Sequence, residues 1–253
     1  MEIKTIISST NPLVKHVASL HDARERKARK QCIIEGVRAL STALTRLPIT
    51  TLYCTQPMLG VARDLVDPRS IILVPGHVMQ KMSAASTPSG LLGVFSLPVQ
   101  PEVTSLTAGL VLARISDPGN MGTLIRTAVA CGIKSIVVVE GTDPWSPKVI
   151  QASAGTITMV SIFQWNWQTL MASKGSLKLF GLVVEGGAEV GSLAPEQALM
   201  VVGNEAQGIP TEWLDSVDGR ITLPMPGGTE SLNAAIAGSI AVYLTFCGMS
   251  NRK

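Results

Sequence analysis

The sequence has little charge, few histidines and few cysteines, and each shortage excludes a class of protein. Only 15% of the 253 residues are charged and 46% are hydrophobic, which excludes an intrinsically disordered chain. None of the three histidines adjoins a cysteine, and Cys32, Cys54, Cys131 and Cys247 are far apart and form no CxxC pair. We therefore expect buried reduced thiols and no metal site.

Several nucleotide and hydrolase signatures are also missing. The polar loops have neither the GxGxxG spacing of a dinucleotide turn nor the GxxxxGK[ST] spacing of a phosphate loop, so nicotinamide and ATP chemistry lose their usual support. The histidines, His16, His21 and His77, all fall in the first hundred residues. A Ser, His and Asp catalytic set in the second part is therefore not expected.

Targeting and membrane signals are weak as well. The amino-terminal residues MEIKTIISSTNP contain no apolar segment after basic residues, so we expect a cytoplasmic protein without a secretory signal. The stretch 231–251 carries no charge and is barely long enough to span a bilayer. Its Ser, Asn, Thr and Gly residues favour a closely packed buried helix over the alternative of a membrane span.

Charge divides the chain into two parts. Residues 1–100 contain 12 Lys and Arg against 6 Asp and Glu, whereas residues 101–253 contain 9 against 12. Prolines and polar residues interrupt the apolar pattern in LPVQPEVTSLTAG. We predict a domain at 1–97, a linker at 98–108 and a second domain at 109–253, with the positive first part facing a polyanion.

A basic cluster lies in the first part, where one helix is predicted to begin near Pro12. It consists of Arg24, Arg26, Lys27, Arg29 and Lys30. The cluster is either a solvated helical face or a contact surface for RNA or DNA. A lone run of charges usually indicates a solvated face, but the positive excess of this part makes nucleic-acid contact an equal alternative.

The second part alternates apolar strands with helices, which predicts an α/β domain with a parallel sheet. Strands are expected at 109–115, 135–141, 158–163, 177–184, 198–203 and 220–225. Helices are expected at 123–131, 148–153, 165–172 and 231–246. Ligands of such sheets bind beyond the carboxyl ends of the strands, so the loops there are the candidate sites.

The first such loop, DPGNMGTLIRTAVACGI, contains an arginine whose position needs explaining. A helix at 123–131 would put Arg126 in the first turn, where the helix dipole is already positive. Either a neighbouring side chain pairs with Arg126, or the arginine faces an anion such as an RNA phosphate. Asn120 could satisfy free amides of the entering turn.

Two further loops carry polar residues after buried strands. In VVGNEAQGIP, Glu205 lies between Gly203 and Gly208; it is either solvated beside a simple bend or pairs with a cation or hydroxyl while the glycines admit a ligand. In LPMPGGTESLNAAIAG, the Ser231 hydroxyl is expected at a helix start, which capping alone would explain, with Asn233 two positions on.

Together these three motifs, in this order, resemble those of the SpoU (TrmH-like) RNA ribose 2'-O-methyltransferases of the SPOUT class. The likeness covers about residues 110–246. STNPLVKHVASL, CIIEGVRAL and STPSGLLGVF resemble the amino-terminal substrate-binding domain of many members. One departure is GNEAQG, where the family more often has Gly in place of Ala206 and Glu in place of Gln207.

The resemblance implies an α/β SPOUT domain with a deep carboxy-terminal trefoil knot, a small amino-terminal α/β RNA-binding domain, S-adenosylmethionine as cofactor and a homodimer with sites near the subunit interface. It implies a conserved polar set of Asn120, Arg126, Glu205, Ser231 and Asn233. It further implies a cofactor pocket of Val183, Val184, Gly203, Leu223, Met225 and Leu232, with Val183 and Val184 near the adenine.

The expected reaction is methylation of a ribose 2'-hydroxyl in structured RNA, ribosomal RNA before transfer RNA. Because a guanidinium is a poor base, we expect Arg126 to bind the adjacent phosphate and stabilise alkoxide charge, oriented by Glu205. Asn120 and Ser231 would order the hydroxyl and the cofactor. The alternatives are a base methyltransferase of the same class and a non-catalytic RNA-binding protein on the same fold.

Overall fold

The structure is a computed structural model that describes residues 3–190, 193–228 and 231–247. Twelve strands lie in the described part, at β1 (Lys4–Thr5), β2 (Gln31–Glu35), β3 (Ile49–Cys54), β4 (Ile71–Leu73), β5 (Leu91–Ser96), β6 (Gly109–Ala113), β7 (Ser135–Val139), β8 (Ser161–Trp165), β9 (Lys178–Val183), β10 (Ala188–Glu189), β11 (Ala198–Val202) and β12 (Gly219–Thr222). The same residues include ten α-helices, α1 (Pro12–Ser19), α2 (Ala23–Arg29), α3 (Val37–Leu44), α4 (Leu59–Leu65), α5 (Gly76–Met82), α6 (Pro118–Ala130), α7 (Pro147–Ala152), α8 (Trp167–Ser173), α9 (Thr211–Leu214) and α10 (Ala234–Val242).

The chain divides into two compact units. One contains the residues up to Val99 together with Trp145–Thr158, and the other contains Gln100–Pro144 and the residues from Met159 onward. The break after Val99 falls inside the predicted linker. The helix predicted at 148–153 belongs to the first unit, not to the second as expected, because the buried side chains of Val149 and Ile150 put α7 against β2.

The first unit is built on a mixed five-stranded sheet in the order β1-β4-β3-β5-β2. Strands β1, β4 and β3 run parallel, and β5 runs antiparallel to both of its neighbours. Helix α1 begins where predicted, with Pro12 at its first position and the Asn11 side chain capping the amide of Leu13. Its buried residues Val14 and Val17 join the core of this unit.

The second unit is built on a seven-stranded parallel sheet in the order β10-β12-β9-β11-β6-β7-β8. The α/β prediction is confirmed, and all six predicted strands are present. The strand expected at 158–163 begins later, at Ser161, because Thr156–Met159 form a turn of 3-10 helix. The two-residue strand β10 was not predicted. Strands β6, β7 and β11 are fully buried, as a sheet covered on both faces requires.

Helix α6 starts five residues before the predicted bound. The Asp117 carboxylate accepts a 2.7 Å hydrogen bond from the amide of Asn120, and Pro118 occupies the first helical position. Arg126 is therefore the ninth residue of the helix, and its placement in the first turn is wrong. Asp117, not Asn120, is the residue whose side chain caps the entering turn.

Helix α10 starts three residues after the predicted bound of Ser231. Its cap is Asn233, whose Oδ1 accepts from the amides of Ala235 and Ile236 at 2.9 and 3.2 Å. The helix continues into a π-helical turn at Tyr243–Cys247. Across the described ranges no helix has the length and apolar character needed to cross a membrane; positions 248–251 of the uncharged stretch lie outside those ranges.

None of the four cysteines, all within the described ranges, is in a disulfide. Cys32 and Cys54 are buried as predicted, and burial raises the pKa of Cys54 to about 11 although Arg63 lowers it. Cys131 and Cys247 are only partly buried. Burial, followed by a hydrogen bond to Cys247, raises the pKa of Cys131 to about 12, so this thiol is protonated at neutral pH.

Candidate active site

The candidate site lies at the carboxyl edge of the seven-stranded sheet. Although 84 residues lie between the end of β6 and the start of β11, the two strands are adjacent, and Leu112 pairs with Val202. The segments that follow these two strands are consequently neighbours in space. This order of strands brings the first two sequence motifs together, and ligands of parallel sheets bind where the strand order reverses.

Glu205 is the centre of the hydrogen bonding between these segments. Its Oε1 accepts from Nδ2 of Asn120 at 2.9 Å and from the amide of Asp117 at 3.2 Å. Its Oε2 accepts from the hydroxyl and the amide of Ser116 at 2.9 and 3.3 Å. The second loop is thus fixed to the start of the first.

These hydrogen bonds determine the charge of Glu205. Burial raises its pKa, but hydrogen bonds from Asn120, from its own backbone amide, from Ser116 and from the amide of Asp117 outweigh that effect and lower the pKa to about 2. The carboxylate is therefore ionised at neutral pH. Since both oxygens already accept hydrogen bonds, Glu205 is a poor proton acceptor and acts as a fixed anchor.

Asn120 extends the same network to the third motif. Its Oδ1 accepts from Nδ2 of Asn233 at 3.2 Å, while Asn233 uses its own Oδ1 to cap α10. One chain of side chains, Glu205 to Asn120 to Asn233, therefore joins all three loops. These three residues, which were predicted from three separate motifs, are therefore hydrogen-bonded to one another in the structure.

Two members of the network, Ser116 and Asn204, were missed as site residues by sequence reasoning. Asn204 donates from Nδ2 to the carbonyl of Arg114 at 2.9 Å, and its Oδ1 accepts from the amides of Ala206 and Gln207 at 2.9 and 3.0 Å. Asn204 lies two positions after the end of β11, and Ser116 lies three positions after the end of β6. The available signal was their place in the loops after buried strands, with Asn204 inside the second motif and Ser116 directly before the first.

The glycines beside Glu205 serve the backbone of its turn. Asn204 and Gly208 exchange two backbone hydrogen bonds of 3.0 Å. A Cβ on Gly203 would lie 2.4 Å from backbone atoms of Gly208 and Ile209, and Gly208 has a φ of +67°. The glycines therefore form the bend, as the first alternative states, and they also line the cavity described below. Glu205 accepts from a hydroxyl, as the second alternative states.

A cavity of about 340 Å³ adjoins this network. All six residues predicted for the cofactor pocket line it, namely Val183, Val184, Gly203, Leu223, Met225 and Leu232. Glu205 and Ser231 line it as well, and Leu182, Val202, Ala234 and Ala237 complete much of its apolar wall. The cavity therefore brings together segments that follow β9, β11 and β12 with the start of α10.

Arg126 and Ser231 are less constrained than the other members of the predicted polar set. Both are exposed. Arg126 makes no hydrogen bond or ion pair with any residue in the described ranges, so a private ion pair does not explain it. Glu205 bonds to Asn120 and Ser116 instead, which makes the expected orientation of Arg126 by Glu205 wrong.

The basic cluster of the first unit is not uniformly available. Arg26 is 2% exposed, and its Nη1 donates to the carbonyls of Leu20 and His21 at 2.8 Å each. Its assignment to an RNA-contact surface is wrong, because its side chain points inward from α2 and bonds the carbonyls of the turn between α1 and α2. Arg29 is exposed and pairs with Glu25 at 2.8 Å. The other three members are exposed: Arg24, Lys27 and Lys30.

Comparison with known proteins agrees with this architecture. The sequence profile of the SpoU rRNA Methylase family matches residues 108–243, and that of the MRM3-like substrate binding domain matches residues 11–93. The chain is 30% identical to an uncharacterized tRNA/rRNA methyltransferase of Synechocystis sp. over 96% of this chain and 93% of that protein.

Two further relatives have more specific descriptions. The 23S rRNA (guanosine(2553)-2'-O)-methyltransferase RlmP of Bacillus subtilis is 26% identical over 95% of this chain and 98% of its own. An AdoMet-bound rRNA methyltransferase from Sinorhizobium meliloti superposes with a TM-score of 0.86, at 25% identity over 98% of both chains. This chain thus combines the α/β fold of its methyltransferase relatives with a polar network at the ends of its strands. The chain belongs to the SpoU rRNA methylase family.

Proposed function

We propose that the protein is an S-adenosylmethionine-dependent enzyme that methylates a ribose 2'-hydroxyl in structured RNA, with ribosomal RNA as the substrate. The observation that carries the proposal is the hydrogen-bonded chain from Glu205 through Asn120 to Asn233 beside the cavity. The Bacillus subtilis relative, named for ribose methylation of 23S rRNA, supports this choice of substrate. The proposal includes the deep trefoil knot that the motifs imply.

The cavity suits the proposed cofactor in size and chemistry. Its volume of about 340 Å³ lies in the range of small-molecule sites. Val183, Val184, Leu223, Met225 and Leu232 would supply apolar contacts. Gly203 would supply backbone to the lining. When bound, S-adenosylmethionine supplies an electrophilic methyl group. The protein's part in the reaction is then to orient the ribose hydroxyl toward that group.

Glu205 is a positioning residue in this proposal. With a pKa of about 2 and both oxygens occupied by donors, it does not remove the proton of the ribose hydroxyl. It fixes the direction of the Asn120 amide, and Asn233 fixes the other end of that amide. Asn120 and the exposed Ser231 hydroxyl would then order the ribose and the cofactor.

Arg126 supplies positive charge. Its guanidinium is exposed and unpaired within the described ranges, so it is available to a phosphate of bound RNA. Arginine stays protonated at any physiological pH. It therefore stabilises the alkoxide that develops on the ribose oxygen, and the hydroxyl proton leaves to water.

The first unit is proposed to hold the RNA. The match of residues 11–93 to a substrate binding domain supports this role, as does the positive excess of the first hundred residues. Arg24, Lys27, Arg29 and Lys30 are the members of the basic cluster whose exposure fits phosphate contact. Free thiols support a reducing compartment, which we propose is the cytoplasm.

A homodimer is the proposed assembly. The last helix and its π-helical turn carry an exposed apolar stripe of Ile236, Ile240, Tyr243 and Leu244, with exposed fractions from 41% to 60%. Sedimentation of Ile240→Asp should give a monomer, whereas Val99→Asp, at a 91% exposed residue of the first unit, should leave the dimer intact. A parental protein that sediments as a monomer would contradict this assembly.

Radiolabelled methyl transfer to total RNA from cells lacking the gene tests the function. We expect label in ribosomal RNA, recovered after nuclease digestion as a 2'-O-methylated nucleotide. The Asn120→Ala variant serves as the negative control. Label in transfer RNA would change the substrate, label on a base would change the reaction, and no transfer to any RNA would remove the proposal.

A further inference from the structure

Two residues that are not glycine adopt left-handed backbone conformations next to each other at the edge of the sheet that carries the site. Arg114 directly follows β6 with a φ of 54°, and Glu140 directly follows β7 with a φ of 52°. The strands are paired, with Ala113 opposite Val139. A side chain with a Cβ disfavours this conformation, so surrounding contacts must hold it.

The side chains of the two residues provide such contacts. Nε and Nη2 of Arg114 lie 3.0 and 2.9 Å from Oε2 of Glu140. The guanidinium carbon lies 4.5 Å from the ring centre of Trp213, which stacks in parallel on Trp167 at 4.7 Å. Both tryptophans are buried. Arg114 is therefore held between a carboxylate and a fixed ring, although 40% of its side chain is exposed.

The backbone of Arg114 leads from this pair to the candidate site. Its carbonyl accepts from Nδ2 of Asn204 at 2.9 Å, and that amide group also lies 3.3 Å from Oε2 of Glu205. The other end of the Asn204 side chain holds the turn after Glu205 through two backbone amides. The direction of the Arg114 carbonyl, which its left-handed conformation sets, thus fixes the side chain next to Glu205.

We propose that Arg114 and Glu140 are positioning residues of the methyl transfer, acting through Asn204 on the orientation of Glu205. The inference rests on the proposed function for its consequence in catalysis. Exposed ion pairs contribute little to stability on their own. The Arg114–Glu140 pair instead holds a strained backbone from which a hydrogen bond is directed at the site.

Alanine and glycine at position 114 separate this role from a general loss of contacts. Both substitutions remove the ion pair and the stacking on Trp213. Glycine adopts a positive φ readily, so the carbonyl can keep its direction, whereas alanine favours a relaxed backbone that turns the carbonyl away. A residue needed only for packing or charge would give equal losses, or a larger loss with glycine.

Steady-state methylation of RNA gives the first measurement. We expect Arg114→Ala to lower kcat at least about tenfold with the KM for S-adenosylmethionine nearly unchanged. Arg114→Gly should stay within about threefold of the parent, and Glu140→Gln should fall between the two. Asp215→Asn, which breaks the exposed pair with Arg220 in the same unit, is the matched control. Equal losses in Arg114→Ala and Arg114→Gly would overturn the inference.

The second measurement needs neither RNA nor cofactor. In protein labelled with ¹³C in its glutamate carboxyls, with the Glu205 signal assigned from Glu205→Gln, we expect no titration of that signal between pH about 6 and about 4 in the parent. It should titrate there in Arg114→Ala and not in Arg114→Gly. The same curve in all three proteins would refute the coupling, while an inactive parent would refute only the proposed function.

Discussion

Asn120 donates a 2.9 Å hydrogen bond to Glu205 across 85 positions of the sequence. Because the other end of the same amide accepts from Asn233, rotating the Asn120 side chain would break two hydrogen bonds at once. The relationship ties the end of β6, the end of β11 and the start of α10 into one unit. It makes the three residues interdependent, which has a measurable consequence.

Substitutions in this chain of side chains should not be additive. We expect Asn120→Ala and Glu205→Gln each to lower kcat by roughly tenfold to a hundredfold. The double variant should fall little below the worse single variant, with a coupling energy of about 0.5–3 kcal/mol. Single-turnover methyl transfer measures this, with Asn166→Ala at the cap of α8 as control. Losses that multiply would show that the residues act independently.

Removing the guanidinium of Arg126 should affect turnover far more than cofactor binding. We expect Arg126→Ala to lower kcat by about 100-fold or more, because stabilisation of developing negative charge is lost. Titration calorimetry should show S-adenosylmethionine affinity within about twofold of the parent, since the residue lies outside the cavity lining. Lys178→Ala, an exposed cation at the opposite end of β9, is the control. A turnover rate in Arg126→Ala equal to that of the parent would show that Arg126 does not stabilise the developing charge.

The free energy of unfolding at acid pH should depend on the ionisation of Glu205. Its pKa in the folded protein is about 2 against an ordinary value of 4.5, so its ionised form contributes stability that is fully present above pH 4.5. That contribution is lost as the pH falls toward about 2. Urea unfolding should show that Glu205→Gln destabilises at pH 7 and has a smaller effect at about pH 3. The same destabilisation by Glu205→Gln at both pH values would contradict this assignment.

Gly203 should tolerate no side chain. A Cβ there would lie 2.4 Å from the backbone of Gly208 and Ile209, neither of which can move without opening the turn. Gly203→Ala should lower the free energy of unfolding by about 2 kcal/mol or more, measured by chemical denaturation. A Cβ on Gly227 meets nothing within 4 Å, so Gly227→Ala should change stability by less than about 0.5 kcal/mol. Equal effects would contradict the close approach.

Substitutions at Arg26 and Arg24 should distinguish a structural role from contact with RNA. Arg26→Ala removes this donor from the buried carbonyl of Leu20 and the partly buried carbonyl of His21 and should cost about 1–3 kcal/mol of unfolding free energy. Arg24→Ala removes an exposed charge and should leave stability unchanged within about 0.5 kcal/mol. It should weaken RNA binding and reduce the salt dependence of that binding by about one ion. An unchanged melting temperature for Arg26→Ala would contradict its buried role.

The predicted strands were recovered from local pattern because a strand buried on both faces needs an unbroken apolar run. The bounds of two helices were wrong, because caps are single side chains that compete with similar neighbours. Asp117 precedes Pro118 and starts α6 early, while Asn233, not Ser231, starts α10. Arg26 was misassigned since a charged sequence gives no sign that one of its members turns inward to bond the carbonyls of a tight turn.

The sequence by itself determined that the second part is an α/β domain with chemistry at its strand ends, and which polar residues belong to its motifs. Hydrophobic runs and turn residues are local signals, so they can be recognised from the sequence alone. Only the tertiary structure decided that Glu205 bonds to Asn120 and not to Arg126, and that Arg114 and Glu140 share a strained edge. The first contact depends on the pairing of β11 with β6 and the second on the pairing of β6 with β7. Both pairings join segments that are distant in the sequence, which no local pattern encodes.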